Sequence, residues 1–305
     1  MPGILLTGKN GQVGRELRRS LATLGDLVAL GRQEADLADL TALETAVRRV
    51  SPDVIVNAAA YTGVDAAETD RSTAFRVNAE AVDVLARLAA QRGAWFVHYS
   101  TEYVFDGKSA EPYRENDSTA PLSVYGESKL AGEEAVRRSG CRHLLLRTSW
   151  VYGCDGGSFM RAILKRASER ETLEVVVDQT GAPTGANLVA DVTAHCLRRV
   201  LNDRALADVL SGTYHLTASG QTTRYEYARY LVEAAAKAGT KLKTAPERVL
   251  PVPGSAYVTA ARRPANSLLD TTKLRTTFGT LLPDWKAGVS ALLPTLLPGI
   301  LRPGP

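Results

Sequence analysis

Residues 4–14 read Ile-Leu-Leu-Thr-Gly-Lys-Asn-Gly-Gln-Val-Gly. A short apolar run enters a turn with Gly8, Gly11 and Gly14, and a helical pattern continues from Gln12 to Leu24. Glycines between a strand and a helix let a phosphate approach the backbone closely. The helix start adds free N–H groups and a favourable dipole. Any tight strand-to-helix turn also favours glycine, so the surrounding pattern has to decide. Apolar runs recur at Leu27–Leu30, Val54–Asn57, Trp95–Ser100 and His143–Ser149. Helical periodicity separates them at Thr41–Val50, Thr73–Gln91 and Ser123–Arg138. Strand–helix units of about 30 residues predict an α/β fold, a Rossmann-type doubly wound parallel sheet with right-handed crossovers.

The rhythm breaks after residue 150. Gly153–Gly157 is a polar loop, Leu173–Val177 is strand-like, and Asp178–Gly185 is rich in turn residues. Ala186–Leu201 is helical and long enough to return to the first sheet, with a late strand at Tyr214–Thr217. One clear helix, Tyr225–Ala238, precedes the Pro-rich stretch Pro246–Pro264. The expected division is 1–150 with 186–216 as a dinucleotide-binding domain. Residues 151–185 with 217–305 would form a smaller, discontinuous substrate domain. Ala291–Ile300 is apolar, but Pro294 and Pro298 interrupt it, which predicts a short docked segment.

Charge and cysteine usage remove other classes. The 37 basic and 33 acidic residues give a formal charge of +4 without a basic run interleaved with aromatics, so no nucleic-acid partner is expected. An anionic small molecule suits this mild excess equally well. Three widely spaced cysteines, Cys141, Cys154 and Cys196, point to a reducing compartment. The four histidines lack metal-ligand spacing, so no metal is expected; His98 and His143 fit hydrogen-bonded core positions. The N-terminus starts directly on a strand pattern and no apolar run reaches about 18 residues. No signal peptide or membrane partner is expected, and the predicted location is cytoplasmic.

An acid at the end of the second strand would bind an adenosine ribose. Gly31-Arg32 stands there instead. A guanidinium suits a 2′-phosphate, although a solvated surface arginine has the same sequence signature. Asp36-Leu37 could contact an adenine, and Ala58-Ala59-Ala60 offers small side chains where a flat cofactor passes. Tyr125 and Lys129 have the i, i+4 spacing that shares one helix face. A lysine ammonium near a phenol would ease proton exchange at the tyrosine. Thr101 closes the fourth strand, where it can be a strand-end cap or a hydroxyl facing a ligand crevice.

These residues carry a resemblance. Gly8–Gly14, residues 57–62, His98–Phe105, Pro121–Glu133, Leu146–Tyr152, Asp178–Gly185 and Arg263–Ser267 resemble the extended short-chain dehydrogenases/reductases. Within them, the chain is most similar to the dTDP-4-dehydrorhamnose reductase family. The resemblance implies NADPH, or NADH, as cofactor and reduction of the 4-keto group of dTDP-4-dehydro-L-rhamnose to dTDP-L-rhamnose. It implies Tyr125 as proton donor, Lys129 as the holder of the nicotinamide ribose and Thr101 as the group polarising the ketone. It also implies cofactor contacts at Gly11, Gln12, Val13, Asp36, Leu37, Ala60, Tyr61, Thr62 and Tyr99. A dTDP-sugar would meet Thr101, Glu102 and Trp150, though Trp150 could also be plain core.

Three positions depart from that family. Glu102 replaces the usual Asp, and Gly31-Arg32 replaces an acid. Of the carboxylates that bridge some family dimers through a metal, only Glu16 is kept. Asn187 and Lys286 align with the others, so a monomer or a non-metal-bridged homodimer is expected. Another 4-keto-sugar reductase or epimerase on the same fold would share the Tyr/Lys pair. A non-catalytic subunit like the regulatory chain of methionine adenosyltransferase would not need it.

Overall fold

The computed structural model describes residues 1–154 and 156–301, so Asp155 of the loop expected at Gly153–Gly157 lies outside the described residues. The chain opens β1 (Gly3–Thr7), α1 (Gln12–Leu21), β2 (Asp26–Leu30), α2 (Leu40–Val50) and β3 (Val54–Asn57). Short helices α3 (Val64–Ala67) and α4 (Arg71–Phe75) lead through a π-turn at Arg76–Glu80 into α5 (Ala81–Arg92). Then come β4 (Trp95–Thr101), α6 (Val124–Ser139) and β5 (His143–Thr148). Each expected strand and helix of this half is present. α1 ends earlier than its periodicity suggested, and beyond it Gly25 passes over Pro2, where even a Cβ would lie 2.1 Å from the Pro2 carbonyl oxygen.

The second half holds β6 (Val151–Tyr152), α7 (Phe159–Glu169), β7 (Leu173–Val176), β8 (Thr180–Gly181), β9 (Thr184–Gly185) and α8 (Ala186–Asn202). It continues with α9 (Ala207–Leu210), β10 (Gly212–His215), β11 (Thr222–Thr223), α10 (Arg224–Lys237), β12 (Val249–Val252), α11 (Thr272–Phe278) and α12 (Trp285–Leu301).

Six strands form one sheet in the order β10-β5-β4-β3-β1-β2, every pair parallel. Its two faces are buried differently. Leu17 and Leu21 of α1 and Val189, Cys196 and Leu197 of α8 pack with Ile4, Leu6, Val56 and Val97. Leu43 and Val47 of α2 and Val82, Leu85 and Leu88 of α5 pack with Leu5, Ile55 and Phe96 on the other face. Residues alternate between two apolar faces, which is why the strands read as continuous hydrophobic runs. A third cluster gathers Tyr152, Met160, Leu164, Leu173, Tyr227, Leu231, Trp285 and Val289. It joins α7, α10 and α12.

The C-terminus differs from expectation. Ala291–Ile300 belongs to the 17-residue α12, with Pro294 and Pro298 inside it. Proline removes a helical N–H and crowds the preceding turn. Val289, Leu293, Leu296 and Leu297 are each buried in the third cluster, and that burial holds the helix together across the prolines. Asp178–Gly185 is also more than a turn. It contributes β8 and β9, and Thr180 exchanges backbone hydrogen bonds of 2.8 Å with Ala265 and Ser267. Two stretches distant in sequence thus form one crossing.

α6 is fixed at both ends and in its middle. Ser123 caps it by accepting from the Gly126 N–H, and Gly140 ends it at φ 69°. Glu133, fully buried, accepts from Arg147 Nε at 2.8 Å and Nη2 at 2.7 Å. This bidentate pair ties α6 to β5. Removing one partner of such a pair strands a buried charge, at a cost of about 3–5 kcal/mol.

Candidate active site at the strand C-termini

Strand order reverses between β1 and β3, and there a cleft of about 810 Å³ opens at the carboxyl ends of the strands. A second hollow of about 950 Å³ lies at the opposite end, among Met1, Arg92, Arg142 and Arg198. It contains none of the expected acid–base set, so the cleft at the strand ends is the candidate site.

The glycine turn forms one wall. Gly8 has φ +79°, and a Cβ on it would lie 2.6 Å from the Ala59 nitrogen. A Cβ on Gly14 would lie 2.0 Å from the Gly8 carbonyl oxygen. Both positions therefore exclude a side chain, so β1, β3 and α1 meet backbone to backbone. Gly8, Gly11, Gln12 and Val13 line the cleft, whereas Gly14 sits behind the turn and permits its curvature.

Arg32, Asp36, Leu37, Ala60 and Thr62 also line it. Tyr61 does not; its backbone N–H and C=O are held by the Asn78 side chain at 2.9 and 3.0 Å, and Asn78 also reaches Ser128 Oγ at 3.0 Å. Asn78 sits in the π-turn, a local irregularity frequent at functional sites. Its role is not legible from spacing alone, because the apolar periodicity continues through the turn.

Gly31 now has a physical reason. Its N–H donates to Glu34 Oε2 at 2.8 Å, and Lys9 pairs with the same carboxylate. A Cβ at position 31 would meet Asn10, Glu34 and Lys9 within 3.3 Å. An acid thus reaches the end of β2 from the following turn, while Arg32 stays exposed on the lining.

The expected acid–base residues converge. Thr101, Tyr125, Lys129, Tyr99, Glu102 and Trp150 all line the cleft. Thr101 Oγ1 donates to Glu102 Oε2 at 2.7 Å and accepts from the Tyr103 N–H at 3.2 Å. Burial, reinforced by the Glu102 carboxylate, pushes the Tyr125 hydroxyl above its ordinary pKa, and the nearby Thr101 hydroxyl opposes that rise. Tyr125 is therefore protonated at neutral pH. Lys129 Nζ donates to the Tyr99 carbonyl at 2.7 Å and lies 3.3 Å from His98 Nε2. Burial lowers its pKa to about 8, against the pull of Glu133.

Trp150 is not plain core. It is half-buried and has φ 48°, a left-handed conformation costly for a bulky side chain and typical of functional sites. Gly181 leaves room for its ring, since a Cβ there would lie 2.5 Å away. Arg224, the first residue of α10, stacks 3.6 Å over Trp150 and also lines the cleft. Burial lowers its pKa to about 10, so it remains a cation. Arg224 lies far along the chain, one residue before the helical pattern at Tyr225–Ala238, where nothing in its spacing points to this cleft, and only the fold brings it here. Thr148 Oγ1, at the end of β5, is buried on this lining with no hydrogen-bond partner among the described residues. An unpaired hydroxyl beside a glycine-walled crevice fits a polar ligand entering there.

Among the described residues, no cluster of three or more His, Cys, Asp or Glu could hold a metal, and no helix is long and apolar enough to cross a membrane. Glu16 lies 3.6 Å from Arg19, and Lys286 Nζ sits 5.6 Å from the Trp285 ring centroid.

Comparison with known proteins agrees with this geometry. The RmlD substrate binding domain family matches residues 1–297. A dTDP-4-dehydrorhamnose reductase of Burkholderia thailandensis is 49% identical over 294 residues, covering 96% of this chain and 99% of the relative. One from Escherichia coli K12 is also 49% identical over 294 residues, covering 95% and 96%. A solved dTDP-4-dehydrorhamnose reductase from Bacillus anthracis in complex with NADP superposes with a TM-score of 0.83 at 31% identity, covering 95% of this chain and 98% of that one. The UDP-glucose 4-epimerase of Thermus thermophilus, at 20% identity and TM-score 0.76, covering 96% and 98%, shares the fold.

Glu102 generates a pH prediction. Burial raises its pKa to about 7, against the opposing pull of the Thr101 hydrogen bond. A raised carboxyl contributes stability in full below its unfolded value near 4.5, and that contribution is lost as pH rises through about 7. Ionised Glu102 also holds the Thr101 proton that a ligand would otherwise receive. Ligand turnover, measured as kcat/KM against pH, should fall through a limb near pH 7, and Glu102→Gln should abolish that limb. A limb that survives the substitution belongs to another group.

Proposed function

The chain belongs to the family of the RmlD substrate binding domain, and from that premise we infer that it reduces the 4-keto group of dTDP-4-dehydro-L-rhamnose to dTDP-L-rhamnose with NADPH, NADH also being accepted. The observation that carries this reading is the convergence of Thr101, Tyr125 and Lys129 on one cleft with the glycine turn. A non-catalytic binding protein would not need that acid–base set.

Each residue takes a role from its place. Gly8, Gly11, Gln12 and Val13 would hold the pyrophosphate at the start of α1, with Gly14 behind them. Arg32 would meet the 2′-phosphate, and Asp36 and Leu37 the adenine. Ala60, Thr62 and Tyr99 would flank the rest of the cofactor, with Lys129 on its ribose, while Tyr61 stays off the lining. When bound, the nicotinamide supplies the hydride that reduces the carbonyl carbon. Thr101 and Tyr125 would hold the carbonyl oxygen. Tyr125, protonated by virtue of its burial, gives that oxygen its proton and so completes the hydroxyl. Glu102 and Trp150 would contact the sugar, and Arg224 carries the positive charge that the substrate's diphosphate requires.

The division into 1–150 with 186–216 and 151–185 with 217–305 remains our reading of cofactor and substrate domains. We further read the protein as cytoplasmic, without a nucleic-acid partner, and as a monomer or a homodimer without a bridging metal. Glu16 alone offers a carboxylate where Asn187 and the cationic Lys286 complete the set. Sedimentation with magnesium and with chelator should give the same mass; a mass that falls on chelation and recovers with magnesium would refute this.

Tyr125→Phe should lower kcat by about 10²–10⁴ while cofactor affinity stays near that of the parent, because only the general acid is lost. Stopped-flow turnover and cofactor titration by fluorescence separate the two quantities. Retention of the full rate would remove Tyr125 from the mechanism.

A further inference from the structure

His98 lies within β4, three residues before Thr101, and is 1% exposed. It is not part of the cleft lining, yet it touches the one lysine that is. Its ring stacks on Phe96 with centroids 5.9 Å apart, which fixes its plane. Nδ1 lies 3.2 Å from Asn57 Nδ2, and Nε2 lies 3.3 Å from Lys129 Nζ.

The proton on this ring can be assigned from its neighbours. Asn57 Oδ1 faces the Ala59 N–H at 3.2 Å and Thr7 Oγ1 at 2.7 Å. A backbone N–H can only donate, so the amide oxygen must face Ala59 and the amide NH₂ must face His98. Nδ1 of His98 therefore accepts. A neutral imidazole has one donor and one acceptor, so Nε2 carries the hydrogen. Burial and the Lys129 charge hold His98 well below its ordinary pKa, which keeps the ring neutral.

Nε2–H then points at Lys129 Nζ. An ammonium has three donors and no acceptor. The contact is a hydrogen bond only when Lys129 is the neutral amine, accepting from His98 while still donating to the Tyr99 carbonyl. With the ammonium it is donor against donor.

We propose that His98 is a positioning residue whose Nε2–H selects the amine form of Lys129, so that Lys129 can give up and regain a proton during the reduction. This rests on the reductase reading above. The groups facing Lys129 balance one another. His98 and the Tyr99 carbonyl approach from β4. Glu133, one turn further along α6, favours the ammonium and is itself held by Arg147 of β5, while Tyr125 lies one turn before. The amine is the form left whenever Lys129 releases its proton, and His98 is the neighbour that stabilises it.

Two measurements decide the matter. Nitrogen-15 NMR of histidine-labelled protein should find His98 protonated on Nε2 alone at neutral pH, whatever the enzyme turns over. An Nδ1–H tautomer or an imidazolium would overturn the proposal. In the pH profile of kcat/KM with NADPH and dTDP-4-dehydro-L-rhamnose, taken in the Glu102→Gln background that removes the limb near pH 7, His98→Leu should move the remaining alkaline limb upward by about one unit, tenfold in the amine–ammonium ratio. His98→Gln, which can still present an amide N–H, should restore it. An unmoved limb in His98→Leu would also overturn the proposal. If His98→Leu does not fold, the tautomer of the parent protein still decides. Absence of turnover with an Nε2–H tautomer would refute the reductase reading and leave the His98–Lys129 contact standing.

Discussion

The backbone of Gly8 passes so close to Ala58–Ala59 and to Gly14 that none of the facing positions at Gly8 or Gly14 admits a side chain. That contact draws β1, β3 and α1 together at the point where strand order reverses. Everything the candidate site needs follows from it. The free N–H groups of α1 face the crevice, β4 and β5 end on its far side, and α6 crosses above them.

α6 carries the chemistry as a stripe. Tyr125, Lys129 and Glu133 recur every four residues, so they share a face. Glu133 is locked to Arg147 and Lys129 to β4, so the tyrosine is presented from a helix that cannot rotate. Burial sets the proton inventory: Tyr125 upward, Lys129 to about 8, Glu102 to about 7. A site that must donate one proton to a carbonyl oxygen gains from an acid kept protonated beside groups that titrate near neutrality.

Much of this was legible in the sequence, for identifiable reasons. Parallel strands covered on both faces leave unbroken apolar runs, and the crossover helices leave a 3.6-residue period, so the sheet could be read directly. Thr101, Tyr125 and Lys129 were legible because their spacing and strand-end position are local. Glu34 was missed, since the acid expected at position 31 arrives from three residues on. Asn78 was missed because the π-turn does not disturb the apolar spacing. Arg224 reaches Trp150 only through tertiary folding. α12 was underestimated because its prolines weigh against a helix locally, whereas its burial is visible only in the packed structure. His98 fits a hydrogen-bonded core residue in the sequence and is one in the structure; the identity of its partner is set by tertiary folding.

The most direct test of the central claim follows nicotinamide absorbance while the purified protein meets dTDP- and UDP-linked 4-keto sugars, with NADPH and NADH in turn. Stoichiometric oxidation of NADPH with dTDP-4-dehydro-L-rhamnose, yielding dTDP-L-rhamnose, is the predicted result. Interconversion of the sugar without net loss of reduced cofactor, or no turnover with any sugar in the panel, would contradict it.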